Sequence, residues 1–207
     1  IIEEFMLVTN ETVAEHYFWL NIPFVYRIHE VPSKEKMEEL SKFVSTFGYT
    51  IKGDLDDVHP KALQKIVEDI KGKKEEDAIS TIMLRSLRQA RYSPECSGHF
   101  GLAAKYYSHF TSPIRRYPDL QIHRIIKEQL NNKINQKRIE QLTNIVDYSS
   151  TISSEKERKA ELVERDVKDY YKALFMSDKI GQEFEGVVSS VTSFGMFIEL
   201  DNTVEGL

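Results

Sequence analysis

Ile2, Phe5, Met6, Val13, Tyr17 and Leu20 recur near a period of 3.6 residues with nothing to interrupt them, which predicts a helix over 2–20 with these residues on one side. Glu3 and Glu4 stand at its start. Pro23 ends the pattern. Between Pro23 and Pro32, the segment Phe24 to Val31 is rich in branched and aromatic residues and reads as a strand. A second helix is expected from Lys34 to Phe47, capped by Ser33 and stopped by Gly48, with Met37, Leu40, Val44 and Phe47 on one face. Pro60 in a first turn and Gly72 just past the end bracket a third, carrying Leu63, Ile66, Val67 and Ile70. From about Asp77 to Tyr92 a longer helix would place Arg85, Arg88 and Arg91 at spacings of three, winding slowly around one side. There they could flank a nucleic-acid path or simply be solvated.

Ser93 to Pro118 contains three prolines and two glycines, so loop and short strand are expected, the setting in which functional groups concentrate. Pro118 opens a helix with Leu120, Ile125, Ile126 and Leu130. Helix resumes near Gln136 and runs toward Met176. Ser149-Ser150-Thr151 and a capping box from Ser154 to Glu157 permit a break, so two helices and one bent helix both fit. At Gly181 the period becomes alternating. Phe184, Gly186, Val188, Ser190 and then Phe194, Met196, Ile198, Leu200 give two strands closed by the turn signal Asp201-Asn202. The fold class is therefore α+β: a mostly helical part over 1–178, then a β part over 179–207.

Composition narrows the class. Hydrophobic residues at 41% with only nine glycines and six prolines exclude a low-complexity or disordered chain. No apolar run reaches a membrane span, and Ile1-Ile2-Glu3-Glu4 lacks the basic start of a signal peptide. One cysteine, Cys96, rules out an intrachain disulfide and a cysteine-built zinc site, so cytoplasm is the expected location. The net charge of −5 argues against a uniformly basic surface. The average hides an inversion. Between Ile82 and Lys127 eight basic residues face two acidic ones, making this stretch +6 and the rest −11. The same stretch holds Tyr92, Phe100, Tyr106, Tyr107, Phe110 and Tyr117. Cations interleaved with rings suit a single strand of nucleic acid, since cations meet phosphates while ring faces stack unpaired bases. A basic surface over an aromatic core has the same composition.

The run Gly98-His99-Phe100-Gly101-Leu102-Ala103, then Tyr106-Tyr107-Ser108-His109-Phe110-Thr111-Ser112-Pro113-Ile114-Arg115-Arg116-Tyr117-Pro118-Asp119-Leu120 and His123-Arg124, resembles the signature of the ribonuclease II and ribonuclease R family, ribonuclease R most of all. Ile2-Glu3-Glu4-Phe5-Met6-Leu7 with Asn10, and Glu164-Arg165-Asp166-Val167, extend the likeness over nearly the whole chain. The resemblance implies the carboxyl-terminal, mostly helical part of that family's catalytic domain. It also implies hydrolysis of single-stranded RNA from its 3′ end to nucleoside 5′-monophosphates, with magnesium held by aspartates.

By this resemblance Arg115 is the catalytic residue, stabilising charge on the phosphodiester in the transition state. The residues alone allow a second reading, an ordinary salt bridge to Asp119 four residues on. The resemblance further implies RNA contacts at Glu3, Tyr107, His109, Arg116, Glu164 and Arg165. Glu3 would accept from a terminal 2′-hydroxyl, although an acid at a helix start is also favoured by the dipole with no ligand at all. His99, His109 and His123, at spacings of ten and fourteen, match no compact metal motif.

Phe184 to Leu200 followed by Val204-Glu205-Gly206-Leu207 resembles the first three strands of an OB-fold RNA-binding module, here incomplete, in which Phe194 and Phe197 would stack bases. The aspartate cluster expected for magnesium would lie upstream of Ile1. Asp54, Asp56 and Asp57 fall in the wrong order and read as a turn with helix-capping acids. The expectation is a chain inactive by itself and holding no cofactor, from a magnesium-dependent exoribonuclease whose partner is single-stranded RNA. No membrane and no obligate protein partner are implied. A non-catalytic RNA-binding module and, on the acidic remainder alone, a protein-interaction module are the alternatives.

Overall fold

The structure, a computed structural model, describes residues 1–193, 195–200 and 205–206. The chain divides into two compact units, Ile1–Lys156 and Glu157–Leu207. The first contains α1 (Ile2–Trp19), β1 (Tyr26–Ile28), α2 (Lys34–Ser45), α3 (Pro60–Ile70), α4 (Glu76–Ser86), β2 (Arg91–Ser93) and α5 (Tyr117–Leu130). It also holds the beginning of α6, a 41-residue helix over Gln136–Met176. The sequence had left one helix or two open over this stretch; it is one.

The first unit has two cores. In one, Ala14 and Tyr17 of α1 pack with Tyr26, Ile28, Ile122, Ile125, Leu142 and Val146, and Tyr17 stacks on Phe24 with ring centroids 4.6 Å apart. In the other, α2, α3 and α4 close around Met37, Leu40, Val44, Leu63, Ile66, Ile70 and Ile79, and Phe100 reaches into it from the loop after β2. Most helix ends follow local chemistry. Ser33 caps α2 by accepting from the Lys36 N–H. Pro60 sits in the first turn of α3, whose cap is the His59 ring, accepting from the Lys61 N–H at 3.2 Å. That corrects the reading of Asp54, Asp56 and Asp57 as helix caps: Asp54 accepts from the Asp56 N–H inside the preceding loop.

Three other expectations are corrected. Of the expected face of α1, Tyr17 is buried and Val13 partly so, beside Asn10 and Ala14, while Ile2, Phe5, Met6 and Leu20 are exposed. The strand is limited to Tyr26–Ile28, the residues that form a ladder with antiparallel β2, and His29 beyond it makes an isolated bridge to His99. α4 stops at Ser86, and Arg91 pairs in β2 with Ile28, so the three arginines do not share a helix. Arg88 and Arg91 both bind Glu30, at 3.0 and 2.9 Å. Long-range strand pairing takes residues that a local periodicity assigns to a helix.

The second unit carries the remainder of α6 and an antiparallel meander of β3 (Gly186–Thr192), β4 (Gly195–Leu200) and β5 (Glu205–Gly206), with a register irregularity between Val188 and Ser190. Among the described residues no helix is long and apolar enough to cross a membrane. The turn expected at Asp201-Asn202 and the ring of Phe194 lie outside the described residues.

Leu142 is fully buried where α6 meets α5. Leu142→Ala is expected to lower the unfolding free energy by about 2–5 kcal/mol. Urea denaturation followed by far-UV circular dichroism measures it.

Candidate nucleic-acid interface

The loop before α5 is organised by one carboxylate. Asp119 has no solvent exposure, and it accepts from the Ser112 N–H at 2.8 Å and from Arg116 Nε and Nη2 at 2.9 and 2.7 Å. The Ser112 carbonyl accepts in turn from the N–H groups of Arg115 and Arg116, which closes the bend at Pro113-Ile114. A buried carboxylate is tolerated only when charge and donors compensate its lost hydration, and a bidentate guanidinium does both. Arg116 is the residue just before α5, with extended backbone at φ −127° and ψ 121°, so its fork folds back over the first turn. Arg116 therefore takes the salt bridge that the sequence allowed for Arg115. Arg115 itself is exposed and forms no ion pair among the described residues.

Behind this bend the chain is stitched to α1 and β1. Asn10, 4% exposed, donates from Nδ2 to the Tyr107 hydroxyl at 3.2 Å and accepts from the Phe110 N–H at 3.0 Å. The Ser108 hydroxyl donates to the Val25 carbonyl, and the Arg27 N–H to the Tyr107 carbonyl. The ring of Tyr107 is buried and edge-on to His99 and His109, at 5.2 and 5.8 Å. In this arrangement Tyr107 supports the loop and presents no open face for a base.

Two of the histidines here, His109 and His99, are held toward the neutral form. Burial first, and then the charges of Arg116 and Arg27, hold His109 down at about 3. Its Nδ1 lies 3.0 Å from the Tyr92 hydroxyl. Burial and the neighbouring His29 and Arg27 hold His99 at about 4. An uncharged imidazole offers a phosphate a hydrogen bond but no charge, so the positive field here is that of the arginines. His123 stacks on Phe110 at 4.3 Å, and its Nε2 lies 2.9 Å from the Phe110 carbonyl.

The remaining expected contacts stand elsewhere. Glu3 is exposed in the first turn of α1, where the helix dipole favours an acid. Glu164 pairs with Lys168 at 2.6 Å, and Arg165 is exposed, both within the second unit. Phe197 is half-buried in β4 opposite Ser190. Among the described residues no group of three histidine, cysteine, aspartate or glutamate side chains could hold a metal ion. These residues do not fit a magnesium site, and no chemical step is assigned to one. Sequence reasoning cited Asn10 only as part of the resemblance, with no role, and passed over Arg27. The hint for Asn10 was a polar residue amid the apolar spacing of α1; Arg27, inside a strand pattern, gave none.

An RNB domain model matches residues 1–132, and an S1 RNA binding domain model matches residues 177–207. The chain is 47% identical to ribonuclease R 1 of Lactococcus lactis and 43% identical to ribonuclease R of Aquifex aeolicus. Each alignment spans the whole chain, but only 25% and 29% of those proteins. Its fold superposes on Mycoplasma genitalium RNase R in complex with ribose methylated single-stranded RNA at a TM-score of 0.93 and 34% identity. That match covers all of this chain and 33% of that one. The chain belongs to the RNB family, that of ribonucleases II and R. It spans roughly a quarter to a third of the length of these relatives.

Asp119→Ala strands a largely buried guanidinium and the Ser112 N–H, and is expected to destabilise by about 3–5 kcal/mol, read as a lowered denaturation midpoint. A pH effect follows from the histidines. The unfolded rings titrate near 6.5 while the folded ones stay neutral to about 4 and 3. The unfolded chain thus binds extra protons as pH falls below about 6.5, and stability drops through that window. Compared with wild type, a His99→Gln/His109→Gln variant should show a shallower loss of urea midpoint between pH 7 and pH 4.5. Parallel curves would contradict the assignment.

Proposed function

We propose that this chain is part of a 3′-to-5′ exoribonuclease that hydrolyses single-stranded RNA to nucleoside 5′-monophosphates, with Arg115 as the residue that stabilises the phosphodiester transition state. One observation carries the reading. Arg115 is exposed and forms no ion pair among the described residues, on a bend closed by the bonds of Asp119 to Ser112 and Arg116, which suits its fork to a non-bridging phosphate oxygen at little reorganisation cost. Arg116 is the scaffold of that arrangement. Glu3 is suited to accept from a terminal 2′-hydroxyl. The S1 match supports an OB-fold over 179–207, in which Phe194 and Phe197 would stack bases, beside Glu164 and Arg165 as further RNA contacts.

In this reading magnesium is held by aspartates supplied outside these 207 residues, the whole protein works in the cytoplasm, and the chain alone is inactive. The absence of a three-residue metal set among the described residues favours a second reading for the isolated chain, RNA binding without catalysis. Incubating the chain with single-stranded RNA and magnesium separates the two. Stepwise release of mononucleotides would refute its inactivity.

In the whole protein, Arg115→Ala is expected to lower kcat by about 10³-fold or more with KM little changed. Single-turnover cleavage of end-labelled RNA measures this. Arg116→Ala should instead lower the melting temperature. An Arg115→Ala enzyme within tenfold of wild type would overturn the assignment.

A further inference from the structure

A groove of about 740 Å³ opens in the first unit between the end of α1 and the loop after β2, and shares no lining residue with the bend at Ser112 to Asp119. One wall is aromatic. Phe18 and Tyr106 lie 4.8 Å apart, Trp19 is 5.4 Å from Phe18 and 6.3 Å from Tyr106, and the Lys105 ammonium sits 5.3 Å from the Tyr106 ring centroid. Trp19 is 69% exposed, an unusual position for the one tryptophan of the chain.

His29 and His99 also line the groove, with ring centroids 5.1 Å apart. His29 is 8% exposed. Its Nδ1 accepts from the Gly101 N–H at 3.0 Å, so the neutral ring carries its proton on Nε2. That nitrogen and Nδ1 of His99 are both buried with no hydrogen-bond partner. Unpartnered buried polar groups are rare in native proteins and call for an explanation, and two adjacent ones in one groove give it polar demand as well as stacking surface. Position 101 has no room for more than hydrogen: a Cβ there would meet His29 Nδ1 at 2.9 Å, so the ring's placement depends on that glycine.

We propose that this groove is a second nucleotide-binding site, taking a purine base against Trp19 and Phe18 with its polar edge toward His29 and His99 and its phosphate toward Lys105. Aromatic walls, a cation and unpartnered ring nitrogens are what an unpaired nucleotide requires, and an open groove suits a nucleotide that enters and leaves. The site rests on the RNA reading only in the choice of ligand. It would engage RNA apart from the residues around Arg115.

Trp19 reports on the site by itself. Titrating the 207-residue chain with AMP should quench its fluorescence saturably, and ribose 5-phosphate, which lacks a base, should not. Oligoadenylate in place of AMP distinguishes a residue of a strand from a free mononucleotide: tighter saturation by the oligomer assigns the site to RNA, and equal saturation assigns it to mononucleotide. Lys105→Ala, an exposed change that should leave the fold intact, is expected to weaken binding about tenfold. Arg115→Ala should leave the AMP response unchanged while weakening total oligonucleotide binding. Quenching that rises linearly with AMP, or that Lys105→Ala does not alter, overturns the groove. Oligonucleotide binding indifferent to Arg115→Ala counts against the reading of the arginine bend instead, and leaves the groove result standing.

Discussion

A single buried carboxylate sets the geometry on which the candidate interface depends. Asp119 sits without solvent at the start of α5, where the dipole of the helix welcomes an anion, and takes three donors from Ser112 and Arg116. Such a group in a folded chain must be matched nearly completely or not be charged at all. The match is made within eight residues of sequence, so the bend can be rigid without help from a distant element. Two adjacent arginines are thereby divided in role. The one folded back satisfies the buried charge, and the other, Arg115, is exposed and forms no ion pair among the described residues.

Around that bend the polar interior follows the same logic on a longer range. Asn10 sits on the buried side of α1, and both halves of its amide are used, by Tyr107 and by Phe110. It fixes the loop to the first helix where an aliphatic residue could only have filled space. Neutral histidines complete the layer. Keeping His99 and His109 uncharged beside Arg27 and Arg116 avoids stacking further positive charge in a desolvated place, and it leaves the positive charge there to the guanidinium groups. The net charge of −5 is no obstacle, because the stretch from Ile82 to Lys127, which includes the family signature, carries +6 by itself.

Much of the architecture was legible in the chain. The helices α2, α3 and α5 lie close to where caps, prolines and glycines put them, because those signals act within a turn or two. The signature from Gly98 to Arg124 announced both the family and the loop that carries Arg115. Local pattern misled wherever a partner decided the outcome. Ile2, Phe5 and Met6 have helical spacing and yet are exposed, and Arg91 left its expected helix because β1 offered Ile28 as a partner.

The sequence by itself determined the α+β class, the family and the segment that carries the family signature, since periodicity and motif are properties of neighbouring residues. Only the tertiary structure decided which of Arg115 and Arg116 pairs with Asp119, that Tyr107 is buried, and that His29 and His99 meet beneath a groove walled by Trp19 and Tyr106. Those outcomes turn on which side chains lose water together, and residues such as Asn10 and Phe110, a hundred positions apart, compete for that only once the chain is folded.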